Sequence, residues 1–283
     1  MFEILEKKTL APTVYRLVVR APEVARKHRA GNFVMLRIHE KGERIPLTVA
    51  DKDLEAGTVT LVFQAVGKTT TELGDLPVGS RLLDLAGPLG RPTRIERFAG
   101  LTVCVGGGIG VAPVHPIARA LRDAGNRVVA IIGARTRELL ILEDEMRRAS
   151  GELLVATDDG SYGHHGFVTD VLRQVIEREG KDQVSLVMAI GPVPMMRACC
   201  KVTREYGVRT EVSLNPIMVD ATGMCGACRV TVGGETKFAC VDGPEFDGHQ
   251  VDFDELTQRL RIYLDDEKRA MQVFHEGHAH RCF

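Results

Sequence analysis

The stretch from Ser213 to Cys240 constrains this chain most. Its cysteines fall at Cys225, Cys228 and Cys240, with four residues between Asp220 and Cys225, two between Cys225 and Cys228, and eleven between Cys228 and Cys240. The spacing C-x4-C-x2-C followed by a distant cysteine is that of a plant-type [2Fe–2S] site. Here Asp220 stands in the first position. The small residues Ala221, Gly223, Gly226 and Ala227 let the backbone curl and aim its amides at cluster sulfides. A structural zinc is the alternative. It would ordinarily use a second Cys or His pair, whereas only Cys240 follows, and aspartate is an uncommon structural zinc ligand. The fourth ligand is read as Asp220, with Cys199 or Cys200 as the rival.

The remaining cysteines, Cys104, Cys199, Cys200 and Cys282, show no disulfide-framework spacing. The N-terminus Met-Phe-Glu-Ile-Leu-Glu-Lys-Lys is charged where a signal peptide would be apolar, and no apolar run is long enough to span a bilayer. A cytoplasmic protein with reduced thiols is expected. The net charge of −1 supplies no basic field, so neither nucleic acid nor a membrane is expected as a partner. At 283 residues the chain has room for about two domains.

Residues 1–98 read as an antiparallel β barrel. Thr13–Arg20, Asn32–Ile38 and Thr58–Val66 alternate with period two between Gly and Pro clusters. Within this region lie Arg44-Ile-Pro-Leu-Thr-Val, Gly67-Lys-Thr-Thr-Thr-Glu-Leu and Gly87-Pro-Leu-Gly. An arginine ahead of a proline-fixed strand can face a pyrophosphate, and a Gly/Thr turn opening a helix offers amides and hydroxyls to the same phosphates. Taken singly, each is more simply an exposed arginine or an ordinary turn.

Residues 99–212 change rhythm. The buried-type strand Leu101–Val105 runs into Gly106-Gly-Gly-Ile-Gly-Val-Ala-Pro and a helix to about Ala124. Strand-like runs at 127–133, 153–157, 184–190 and 209–214 then alternate with helical ones at 138–148, 166–178 and 192–206. This is the pattern of a doubly wound parallel sheet. The Gly-rich turn places a helix N-terminus at a pyrophosphate, or is a tight turn without a ligand. Asp158 and Asp159 end the third strand, either at a ligand or as turn caps. Arg135 and Arg137 follow the second strand, where they suit the 2′-phosphate of NADP. The cluster segment spans 213–250, and a helical tail, with helices at 253–260 and 263–274, spans 251–283. Its end, His275-Glu-Gly-His-Ala-His-Arg-Cys-Phe, is read as a polar tail docked on a partner, with metal binding as the alternative. Cys104, Cys199 and Cys200 are read as packing residues.

In this order the motifs resemble the ferredoxin–NADP reductase superfamily. The resemblance implies that Arg44, Pro46, Leu47, Thr48, Thr69 and Thr70, with Gln64 and Val66, contact FAD. It also implies that Gly107, Gly108 and Gly110, with Arg135, Asp158, Asp159, Gly191 and Met195, serve the nicotinamide nucleotide. Ile190 stands where that superfamily carries a cysteine, and Thr69 where many members carry glycine. The whole chain resembles the iron–sulfur flavoprotein subunits. That family includes the electron-transfer subunit of dihydroorotate dehydrogenase B and the small (alpha) subunit of NADH-dependent ferredoxin:NADP oxidoreductase. Asp220 resembles the second of these.

The resemblance implies a subunit carrying FAD, a [2Fe–2S] cluster and NAD(H), with NADP(H) as the alternative. Its partner would be a larger flavin and iron–sulfur subunit that performs electron bifurcation and reaches ferredoxin. No residue is singled out as catalytic. Three other readings compete: a dihydroorotate dehydrogenase B subunit, a carrier that never binds nicotinamide, and a reductase feeding an oxygenase.

Overall fold

A computed structural model describes residues 1–279. The first seven strands are β1 (Phe2–Ala11), β2 (Val14–Arg20), β3 (Phe33–Arg37), β4 (Arg44–Asp53), β5 (Thr58–Gln64), β6 (Arg81–Leu82) and β7 (Asp84–Leu89). Helix α1 (Pro22–Lys27) follows β2, and α2 (Lys68–Asp75) follows β5. The strands form one antiparallel sheet in the order β6-β1-β2-β5-β4-β3-β7. Its two edge strands are consecutive in the chain and separated by Leu83, whose amide donates to the carbonyls of Arg37 and Ile38 at 3.0 and 3.1 Å. The sheet is therefore a nearly closed barrel. Period-two alternation sends Leu17, Val19, Val59, Leu61 and Phe63 inward, where they meet Ile4, Val34, Leu36 and Leu82. Strand β1 carries Glu3, Glu6 and Lys8 on its outward side and Lys7 opposite inward-facing Leu17, so its sequence does not read as a strand, although Ile4 is fully buried.

The second sheet contains β8 (Leu101–Gly107), β9 (Val128–Ala134), β10 (Glu152–Thr157), β11 (His164–His165), β12 (Val184–Ile190) and β13 (Thr210–Ser213), all parallel. Helices α3 (Val111–Asp123), α4 (Glu143–Ala149), α5 (Val168–Glu179) and α6 (Val193–Tyr206) connect them. The order β11-β10-β9-β8-β12-β13 reverses direction between β8 and β12, which opens a crevice beyond their C-terminal ends. All seven residues of β8 are buried, which explains its mostly apolar run; the one polar side chain, Thr102, donates its hydroxyl to the Arg127 carbonyl at 3.1 Å. The helix expected over 138–148 begins only at Glu143. Ile141 turns into the core, and Leu142 takes a left-handed φ of 55° that breaks any earlier helix.

The remaining chain forms the hairpin β14 (Arg229–Val232) and β15 (Glu235–Phe238), then β16 (Glu245–Asp247), α7 (Phe253–Arg259) and α8 (Leu264–Ala279). Strand β16 pairs antiparallel with β13, so the second sheet continues into this region. Asp252 caps α7 by accepting from the amides of Asp254 and Glu255 at 3.0 and 2.9 Å. Helix α8 packs against α2. Of the histidine-rich end, residues 280–283 lie outside those described.

Barrel and second sheet are tied by side chains. Arg119 of α3 pairs with Asp51 of β4 at 2.7 Å, and His115 Nδ1 lies 3.2 Å from the carbonyl of Ala50. Thr93 donates to Glu245 at 2.6 Å, and burial pushes that carboxyl up to about 7. Among the described residues no helix is long and apolar enough to cross a membrane.

Candidate functional site

The Gly-rich turn after β8 coils once over Gly108–Gly110 and runs directly into α3, so the N-terminus of that helix faces the crevice. At Gly110 a Cβ would stand 2.2 Å from the carbonyl oxygen of Ile190, and only glycine lets β12 approach this closely. At Gly108 the backbone is left-handed (φ +53°), and a Cβ would meet nothing within 4 Å. A cavity of about 580 Å³ opens here. Gly107, Gly108, Arg135, Asp158 and Met195 line it together with Pro192.

Two other residues of the expected set point elsewhere. Asp159 accepts from the amide and hydroxyl of Ser161 at 2.9 and 2.6 Å, which caps its turn and holds its carboxyl below the usual range. Arg137 stacks 5.0 Å from the centre of the Tyr162 ring. Arg135, by contrast, is exposed at the cavity wall.

A second cavity of about 400 Å³ lies between barrel and sheet. Pro46, Leu47 and Thr48 of β4 line it with Gln64, Val66 and Thr70, and Gly110 and Gly191 close its far side. Thr70 builds the entry to α2: its hydroxyl accepts from the amides of Val66 and Gly67, each at 3.1 Å, and donates to the Gly67 carbonyl at 3.0 Å. Thr69 and Arg44 stand outside this lining. Thr69 is buried and donates its hydroxyl to Glu43, while Arg44 is exposed at the start of β4. That hydrogen bond sets the start of β4 beside the N-terminus of α2. The two cavities share Gln64, Ile109 and Pro192.

Several residues of the second cavity carry no sequence signal. Phe33 is an apolar residue in an apolar strand, and Ser213–Pro216, Met218 and Pro244 belong to the segment that carries the cysteines. That segment thus forms one wall of the cavity. Further along it, Cys228 and Cys240 are each 2% exposed and the Cys240 amide donates to Cys228 Sγ at 3.5 Å, whereas Cys225 is exposed. Burial, then the neighbouring Cys228 thiol, pushes the Cys240 thiol up to about 12. Asp220 accepts from the Thr222 amide at 2.9 Å. That bond, with smaller contributions from Cys225, holds its carboxyl below the usual range. Ala221 (φ 60°) adopts a left-handed turn inside the loop.

The four expected donors fall into two contacting pairs, Asp220 with Cys225 and Cys228 with Cys240. Two irons bridged by sulfide fit this division. A single zinc needs its four ligands at one point, and among the described residues no three His, Cys, Asp or Glu converge in that way. Cys199 and Cys200 are buried in α6 within the core of the second sheet.

Residues 215–252 match the family model described as the iron–sulfur cluster binding domain of dihydroorotate dehydrogenase B, and residues 104–201 match an oxidoreductase NAD-binding domain. A Thermotoga maritima protein described as a dihydroorotate dehydrogenase B (NAD(+)) electron transfer subunit homolog is 50% identical over 272 residues, covering 96% of this chain and 95% of that one. The chain belongs to the dihydroorotate dehydrogenase B electron-transfer subunit family. A family member from Geobacillus thermodenitrificans, named as the subunit itself, is 34% identical over 256 residues, covering 88% of this chain and 96% of its own. The chain is also similar to one in the solved structure of the NADH-dependent reduced ferredoxin–NADP oxidoreductase, whose subject is flavin-based electron bifurcation. The two superpose with a TM-score of 0.91 at 48% identity over 97% of this chain and 98% of that one. Helices α7 and α8 follow the end of the family's cluster-domain match at residue 252.

Proposed function

We propose that this chain is the electron-transfer subunit of a larger NAD(H)-linked oxidoreductase. It would accept hydride equivalents from NADH and pass electrons singly to a partner subunit. One observation carries this reading: the two cavities meet at Gln64, Ile109 and Pro192, and the wall of the second continues into the segment bearing Cys228 and Cys240.

FAD supplies the conversion between hydride and single electrons, and a [2Fe–2S] cluster carries one electron at a time. The chain's own residues bind and orient. Pro46, Leu47 and Thr48 present the edge of β4 to the flavin ring. Arg44 and the N-terminus of α2, with Thr69 and Thr70, stand together where a pyrophosphate is best held by a guanidinium and helix amides. The Gly107–Gly110 turn holds the pyrophosphate of the nicotinamide nucleotide, while Gly191 and Met195 border its ring. Arg135 and Asp158 flank the adenosine end, with Asp158 suited to ribose hydroxyls. The barrel, the parallel sheet and the cluster segment thus each serve one redox group. Asp220, Cys225, Cys228 and Cys240 hold the cluster.

Cys225 is exposed, and the same segment also exposes Val219, Met224 and Val241, apolar side chains suited to a partner subunit. The similarity to the NADH-dependent reduced ferredoxin–NADP oxidoreductase chain favours a larger flavin and iron–sulfur partner engaged in electron bifurcation, with ferredoxin served through the complex. A dihydroorotate dehydrogenase partner is the second reading, favoured by the Geobacillus relative. Anaerobic titration of the FAD-loaded protein with NADH should bleach the flavin band, with NADPH at least tenfold less effective. A flavin that stays oxidised refutes the reading. The large subunit that co-purifies decides between the two assemblies.

A further inference from the structure

The turn between Cys225 and Cys228 consists of Gly226 and Ala227, and a guanidinium takes each of their carbonyls. Arg229 donates from Nη1 to Gly226 at 3.3 Å, and Arg259 donates from Nη2 to Ala227 at 3.1 Å. The two arginines differ in setting. Arg229 is exposed at the start of β14. Arg259 is half-buried at the last position of α7, and its Nε is buried without a hydrogen-bond partner. Three acids stand on or beside its own helix: Asp252 caps the helix, Asp254 pairs with Arg197 at 2.6 Å, and Glu255 lies one turn before Arg259, yet among the described residues none of them forms an ion pair with Arg259. Arg259 lines a small cavity of about 50 Å³ together with Pro216, Ala227 and Tyr263. Pro216 also stands in the wall of the flavin-side cavity. A poorly neutralised cation thus sits between that cavity and the cysteine turn.

Burying such a charge is costly unless a negative group nearby offsets it. Three thiolates, a carboxylate and a [2Fe–2S] core together make a net negative group, and one-electron reduction adds a further negative charge. We infer that Arg259 is a positioning residue for the cluster, one that favours the reduced state through its charge and fixes the Cys225–Cys228 turn through the Ala227 carbonyl. This inference rests on the iron–sulfur reading above and extends it to α7, which lies outside the 215–252 match.

The test is an anaerobic redox titration, followed by EPR, of the full chain carrying FAD and iron. Arg259→Gln should move the cluster's reduction equilibrium about tenfold toward the oxidised form, a potential ~59 mV lower. Arg259→Lys should stay within about threefold of wild type. Arg259→Met, which keeps the aliphatic stem in the small cavity, is a second neutral variant and should behave like Gln. Iron lost from both neutral variants but kept in Lys would also support the claim. Gln or Met at the wild-type potential, Lys shifted as far as Gln, or iron lost from all three variants would overturn it. A wild-type protein that binds no iron would instead refute the underlying cluster reading.

Discussion

Phe33 and Met218 share two surroundings. Both line the flavin-side cavity, and both belong to the apolar cluster that contains Cys228 and Cys240. Phe33 comes from barrel strand β3, and Met218 lies two residues before Asp220. The barrel and the cysteine segment therefore meet at the place where an electron would pass from flavin to cluster.

Phe33→Ala should loosen that junction. Removing a phenylalanine that is only 4% exposed should cost about 3–5 kcal/mol of stability. In stopped-flow mixing with NADH, the cluster should be reduced several-fold more slowly than in Phe33→Leu, which keeps the apolar bulk. Equal rates in the Ala and Leu variants would mean that Phe33 only packs the core.

The Gly-rich turn makes two separable predictions. A side chain at Gly108 enters open space in the nucleotide cavity at a left-handed φ, so Gly108→Val should raise the Kd for NADH at least tenfold, about 1.4 kcal/mol, with FAD and iron content unchanged. Gly110→Ala drives a Cβ against the Ile190 carbonyl and should instead lower the melting temperature of the whole protein. Isothermal titration of NADH alongside thermal melts distinguishes the two effects.

Asp220 is expected to be the fourth cluster ligand. Asp220→Ala should release iron within hours in the presence of a chelator, whereas Asp220→Cys should retain it with an altered EPR signal. Cys199→Ser and Cys200→Ser should leave both unchanged, because those thiols are buried in α6. Iron assays after gel filtration measure the outcome, and cluster loss in either serine variant with retention in Asp220→Ala would reverse the assignment.

Two buried groups give opposite pH dependences. His28 is 4% exposed, and burial, then Lys52, lowers its pKa from 6.5 to about 4. Below pH 6.5 the unfolded chain takes up a proton that the folded chain refuses. Stability should therefore fall by up to about 1.4 kcal/mol per pH unit between 6.5 and 4, and His28→Phe should flatten that limb. Burial raises Glu245 from 4.5 to about 7, so the folded chain keeps a proton that the unfolded chain loses. Its contribution is complete below pH 4.5 and disappears as the pH rises through 7. Glu245→Gln should remove that loss, as read from urea denaturation at pH 5, 6, 7 and 8.

Much of this architecture was legible because the sequence signals were local. The alternation in β2 and β5, the mostly apolar β8, the glycines at its end and the Asp220–Cys240 spacing each announce one element. What was not legible depends on contacts distant in sequence. Strand β1 looks like a charged surface segment until its pairing with β2 buries Ile4. Phe33 lines the flavin-side cavity only because β3 meets a loop 185 residues further on, at Met218. The two aspartates after β10 look alike in sequence, yet Ser161 draws Asp159 into its turn while Asp158 faces the cavity. No spacing rule links Arg259 to the turn it holds, because α7 must first fold back onto the cysteine loop.

The central claim is that this chain forms one wire, from nicotinamide through flavin to cluster. EPR of the protein after anaerobic mixing with NADH, with FAD bound and again with FAD removed, tests it most directly. The account predicts that the reduced [2Fe–2S] signal appears in the flavin-loaded protein and is absent from the flavin-free one at equal iron content. A cluster reduced equally well without flavin, or one that stays oxidised with flavin and NADH both present, would contradict it.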